Sequence, residues 1–233
     1  MNSIVLLAHS AGNVWEYKRM LSELSDEFEL LPVELPGNVT RWGDERYTEL
    51  SEYVDEICSF IDSNTDKNDK LYLFGHSFGG YLIYETAARF RDRIAGVTVS
   101  CCQPYHVYIR PVKGSEESFC SMFGYSNNMA KELIDMFEPI IEDQINVTDK
   151  HCERYKNIKM FTPLNVVSDV IYAENDDPLC GSEKWYDYFC RSLCNINRVN
   201  GGHFYWHDDP ENISFLENVI RRQKRRYSAL CQK

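Results

Sequence analysis

Short apolar stretches recur along the chain: Ile4–Ala8, Phe28–Glu34, Leu71–Phe74, Ile94–Ser100, Val166–Tyr172 and a briefer one at Ile196–Val199. They are rich in branched residues and mostly lack polar alternation. That pattern predicts strands buried on both faces, as in a parallel sheet. Between them the period changes. Leu50, Tyr53, Val54, Ile57, Phe60 and Ile61 fall at steps of three and four, which predicts a helix closed by Ser63-Asn64. Similar spacing predicts helices over Val14–Leu24, Gly79–Phe90, Glu183–Cys194 and Ile213–Tyr227. Pro36-Gly37 ends the second strand. Strands alternating with helices imply an α/β fold, a mostly parallel sheet covered by helices on both faces.

The pattern breaks from Gln103 to about Pro163, where helical pieces such as Met129–Ile145 occur without a strand. Roughly 60 residues between two strands is too long for a plain crossover, so a helical lid inserted over a site is expected at 103–163. There is no repeat, linker or low-complexity segment, and residues 1–233 are expected to form a single domain with that insertion.

Composition narrows the function classes. The chain has 233 residues, 43% of them hydrophobic, enough for one substantial core. Its net charge of −11 argues against nucleic acid or an anionic membrane as partner. A local basic run, Arg221, Arg222, Lys224, Arg225 and Arg226, reads either as the cationic end of a terminal helix or as a docking patch for an acidic partner. Nine cysteines without regular spacing suggest reduced thiols rather than a disulfide framework, and no metal-ligand pattern emerges. The N-terminal apolar run is five residues without a basic flank, too short for a signal peptide or a membrane span. A cytoplasmic monomer is expected.

The candidate chemistry begins at Gly75-His76-Ser77-Phe78-Gly79, a G-x-S-x-G motif between a predicted strand and a predicted helix. A serine on that sharp turn is exposed at the carboxyl end of the sheet. The glycines keep side chains clear of the neighbouring strand and helix. The N–H of Phe78 then lies at a helix N-terminus, suited to an oxyanion. A serine hydroxyl needs a base, and in this context the partners follow in the order acid, then histidine. Of the six histidines, His203 in Gly201-Gly202-His203-Phe204 follows the last strand and is the expected base. His207 reads as a surface residue. Asp176 and Asp177 both follow the Val166–Tyr172 strand and both fit the acid. The small residues of His9-Ser10-Ala11-Gly12, after the first strand, suggest the Ser10 N–H as second oxyanion donor.

Together these residues resemble the type II thioesterases of nonribosomal peptide and polyketide synthases, members of the α/β-hydrolase superfamily. The resemblance runs through almost the whole chain. His9-Ser10-Ala11-Gly12 is similar to a family loop of His or Tyr followed by Ala-Gly-Gly. Glu34-Leu35-Pro36-Gly37 with Thr40-Arg41 is similar to its Leu-Pro-Gly-Arg-x-x-Arg segment, with Asn38 at the first arginine. Gly75–Gly80 and Gly201–Phe204 match its Gly-His-Ser-x-Gly-Gly and Gly-Gly-His-Phe motifs. Asp177-Pro178 resembles its Asp-Pro, which favours Asp177 as the acid and leaves Asp176 as the alternative. The resemblance implies hydrolysis of acyl or aminoacyl thioesters from the phosphopantetheine arm of a carrier protein, for editing or product release, with no metal and no organic cofactor. Fold and triad alone also suit a small-molecule esterase or lipase, or a non-catalytic binding module that retains the fold.

Overall fold

A strand whose side chains are apolar on both faces is stable only where both faces are covered. In the computed structural model, which describes residues 1–111, 131–176 and 182–232, the first strand meets that condition. Strand β1 (Asn2–Leu7) sits inside a six-stranded parallel sheet with β2 (Glu29–Pro32), β3 (Lys70–His76), β4 (Ile94–Ser100), β5 (Ser168–Ala173) and β6 (Cys194–Val199), in the order β2-β1-β3-β4-β5-β6. Register pairs Val5 with Leu73 and Leu6 with Phe74.

Alternate residues then supply two cores. Ile4, Leu6, Tyr72 and Phe74 face helix α1 (Val14–Met20) and the final helix, α6 (Glu211–Cys231), through Val14, Tyr17, Leu216, Val219 and Ile220. Val5, Leu7, Leu71 and Leu73 face helices α2 (Leu50–Asn64) and α3 (Phe78–Arg89) through Tyr53, Val54, Ile57, Leu82 and Ile83. Each fully buried aliphatic side chain is worth about 1.5–3 kcal/mol, so these two layers dominate the fold's stability.

The long helix α4 (Lys131–Glu153) lies between β4 and β5 in the chain. It runs beyond the expected Met129–Ile145 and tolerates Pro139 in its interior. A short helix α5 (Tyr205–Asp208) follows β6. The predicted helix over Glu183–Cys194 is instead a 3-10 segment, Ser182–Asp187. Trp185, Tyr188 and Phe189 have helical spacing and are all fully buried. However, the backbone of Leu164 takes over the pairing there: its N–H donates to Tyr188 O at 2.8 Å and its carbonyl accepts from Cys190 N–H at 3.0 Å. Those bonds end the helix early.

The basic run occupies the middle of α6, and its last turn holds no basic residue, so the helix dipole does not explain it. Arg221 and Lys224 both pair with Glu27, and Arg226 donates to the Leu193 carbonyl. Arg222 donates at 2.5 Å to Asp169, a fully buried carboxylate that also accepts from Asn195, Asn197 and Gln223. Most of the run is thus committed within the chain, which leaves little of it for an acidic partner. The described cysteines are free thiols. Among the described residues, no helix is long and apolar enough to cross a membrane.

Candidate active site

In parallel sheets of this kind, loops at the carboxyl ends of the strands converge on one edge. Here the segments following β1, β3, β4, β5 and β6 supply residues 8–12, 77, 101, 174–176 and 200–203.

Ser77 occupies the junction of β3 and α3 with φ +54° and ψ −116°. A left-handed backbone costs a residue with a Cβ of order 1–3 kcal/mol, and the flanking structure has to hold it there. Ser77 N–H donates to the Ser100 carbonyl at 2.9 Å, and Gly80 N–H donates to the Ser77 carbonyl at 2.8 Å. The motif glycines are sterically required. A Cβ on Gly75 would collide with the Gly79 carbonyl, and one on Gly79 with the Leu7 carbonyl. Phe78 is the first residue of α3, which aims its N–H out of the helix N-terminus beside Ser77.

His203 follows Gly201, whose φ of +116° suits glycine. Its Nδ1 lies 2.8 Å from Asp176 Oδ2, with side-chain exposures of 20% and 12%. Two backbone bonds align the loops that carry this pair: Glu174 N–H to Val199 O and Asn175 N–H to Gly201 O, both 3.0 Å. Gly202 N–H donates to Asp208 at 2.7 Å. The His203 ring packs 4.8 Å from that of His76, the residue before Ser77. Ser77 and His203 are thereby brought to the same edge, and of the two candidate aspartates Asp176 meets the imidazole. Asp177 lies outside the described residues.

Ser10 lies in a turn closed by Gly12 N–H donating to His9 O at 2.9 Å, with Ala11 left-handed at φ +54°. Gly79 N–H donates to Ala8 O at 3.0 Å, tying this loop to the start of α3. His207 is exposed and pairs with Glu16 at 3.0 Å, as a surface residue should. Within the expected lid, His106 packs on Tyr188 and His151 reaches Glu85 at 3.2 Å.

Several further groups at this edge were given no role by the sequence. His76 is fully buried; its Nδ1 lies 3.0 Å from Ser100 Oγ, which in turn lies 3.0 Å from Tyr205 OH. Cys101, left-handed at φ +47°, brings its sulfur within 4.8 Å of the Asp176 and His203 donor atoms. Burial and the Asp176 carboxylate push that thiol well up, so it keeps the proton it can offer to Asp176. Gln144 was the most legible omission, a polar residue on the buried stripe of α4 with Ile140, Val147 and Cys152.

The imidazoles flanking His203 are held neutral. Burial, followed by the His203 charge, pushes His9 down to about 3 and His76 well below the usual range. His9 Nδ1 and the Tyr17 hydroxyl share a hydrogen bond of 2.6 Å. Unfolded, these histidines protonate near 6.5. The unfolded state therefore binds more protons between pH 6.5 and the lowered native values, and stability must fall as pH drops through that window. The slope is up to about 1.4 kcal/mol per pH unit for each such group. His207, raised by Glu16, works in the opposite direction. Urea unfolding should show lower stability at pH 5 than at pH 6.5, with a shallower loss in His9→Gln. A flat response would refute buried, neutral imidazoles.

A sequence profile described as the thioesterase domain matches residues 2–224. The chain belongs to the thioesterase-domain family. Thioesterase TesA of Mycobacterium marinum is 26% identical over 136 residues, which cover 57% of this chain and 51% of that protein. The chain spans about half the length of the mycobacterial relatives it matches. Thioesterase PikA5 of Streptomyces venezuelae is 23% identical over 91% of this chain and 79% of its own length. Among solved structures, RedJ, a thioesterase from the prodiginine biosynthetic pathway of Streptomyces coelicolor, superposes with a TM-score of 0.77 at 20% identity, covering 94% of this chain and 85% of that one. The fold is that of the α/β hydrolases.

Proposed function

We propose that this thioesterase-family domain hydrolyses acyl or aminoacyl thioesters carried on the phosphopantetheine arm of carrier proteins, using Ser77 as nucleophile, His203 as base and Asp176 as the acid. The observation that carries the reading is the left-handed Ser77 at a strand-to-helix junction, on the same sheet edge as a hydrogen-bonded His203–Asp176 pair. Asp176 accepts the Nδ1 proton, which leaves Nε2 free to take the Ser77 proton as Oγ attacks the thioester carbonyl. The oxyanion is met by the N–H groups of Phe78 and Ser10. Each such donor is worth roughly 10²–10³ in rate. The C–S bond then breaks, the departing pantetheine sulfur takes the proton from His203 Nε2, and the imidazole is again a free base. Water, deprotonated by His203, attacks the acyl-Ser77 ester and releases the acid.

The thioester leaving group is supported by the family and by the resemblance to thioesterases of peptide and polyketide assembly, since the triad alone suits any acyl ester. Helix α4, inserted between β4 and β5 of one domain, is the proposed lid. The reading needs one copy of the chain, because all the proposed groups come from its own loops. The test compares an acyl-loaded carrier domain, the matching acyl-pantetheine and a simple oxygen ester. Release from the carrier at the highest kcat/KM is the expected result. Rapid oxygen-ester cleavage with no release from the carrier would replace the proposal with a small-molecule esterase.

A further inference from the structure

An amide on the buried face of a helix destabilises the fold unless its polar atoms are paired. Gln144 is fully buried on α4 and is paired at both ends. Its Oε1 accepts from Ala11 N–H at 3.0 Å, and its Nε2 donates to Asn38 Oδ1 at 3.2 Å. Asn38, itself buried, donates through Nδ2 to the Gly12 carbonyl at 2.9 Å. Two amides thus grip the His9–Gly12 turn from both sides, from segments far away in sequence. Asn38 can do this because it offers both an acceptor and a donor. An arginine, the residue at this place in the segment it resembles, only donates and has nothing for Gln144 Nε2.

The turn needs the grip. Ala11 is its third residue and is left-handed at φ +54°. That sign marks the type II arrangement, which a residue with a Cβ disfavours; the type I alternative rotates ψ of the second residue by about 150° and flips the following peptide. The second residue is Ser10. A flip would carry Ala11 N–H away from Gln144 and turn over the Ser10 carbonyl, changing the path of the loop at the residue whose N–H is the proposed donor.

We infer that Gln144 and Asn38 are positioning residues: they lock the first loop so that Ser10 N–H stays aimed at the oxyanion, and they tie that donor to the seating of the inserted helix. This rests on the serine-thioesterase reading above. The helix and the oxyanion site then behave as one unit, so a displaced α4 weakens catalysis before it weakens ground-state binding.

The experiment uses Gln144→Met, which keeps volume and loses both bonds, and Gln144→Glu, which keeps an acceptor for Ala11 N–H. Measured on an acyl-pantetheine thioester, kcat should fall about 10- to 100-fold in Gln144→Met, with KM within about threefold, below the full loss of an oxyanion donor. Affinity for a trifluoromethyl ketone bearing the same acyl chain should fall in step with kcat, while affinity for the matching non-hydrolysable thioether holds. Gln144→Glu should keep more activity than Gln144→Met. A Gln144→Met protein with lowered unfolding midpoint but unchanged kcat, or with ketone and thioether affinities reduced together, overturns the inference. Where Gln144→Met does not fold, Asn38→Leu carries the same readouts and the same criteria. Wild-type protein that a fluorophosphonate does not label at Ser77 fails the serine-thioesterase reading instead, whereas labelled wild type with unaffected variants fails only this inference.

Discussion

Ser77→Ala is expected to lower kcat on an acyl thioester by about 10⁴- to 10⁶-fold while leaving the urea midpoint at its wild-type value. Stability should survive because the demanding feature at this position is the backbone, not the hydroxyl. Ser77 is held left-handed by its N–H bond to Ser100 O and by Gly80 N–H on its own carbonyl, and both bonds persist in alanine. Activity should not survive because the covalent route is lost and only oxyanion binding remains. His203→Ala should produce a loss of similar size, and the double variant little more, since nucleophile and base act as a unit. Additive losses would mean that the two residues serve separate steps. Single-turnover release of acid from acyl-pantetheine, alongside urea unfolding of each variant, separates these outcomes.

Asp176→Asn should cost about 10⁴-fold in kcat with the fold intact. The imidazole is bonded through Nδ1 to Asp176 Oδ2 at 2.8 Å. A carboxylate there only accepts, which in the proposed mechanism keeps the ring proton on Nδ1 and leaves Nε2 as the base. An asparagine can turn its NH₂ toward Nδ1, which moves the proton to Nε2 and removes the base with almost no change of shape. Asp177→Asn should keep near wild-type kcat. The reverse pattern, with Asp177→Asn inactive and Asp176→Asn active, would overturn the assignment. The comparison is clean because both substitutions remove the same charge from adjacent positions of an already acidic chain.

The strands, the two-faced sheet and the loops that carry Ser77 and His203 could be read directly from residue order, because each depends on neighbours a few positions away. Buried strands appear as apolar runs. The glycines of Gly75–Gly79 are demanded by carbonyls that any strand-turn-helix of this kind brings close. Gly201-Gly202-His203 announces a loop where a histidine can turn inward. Of the two adjacent aspartates, residue order favoured Asp177 through its likeness to Asp-Pro and kept Asp176 as the alternative; how the loop is pinned is not legible there, and with Asn175 N–H bonded to Gly201 O it is Asp176 that meets the ring. The role of the basic run was likewise decided in three dimensions, by carboxylates such as Asp169 and Glu27 that fold against α6. The amide grip of Gln144 and Asn38 on the first loop joins residues 133 positions apart. Hydrophobic periodicity is a local signal set by solvent on either side of an element, whereas hydrogen-bond partners are chosen by chain packing, and no spacing along the sequence records that choice.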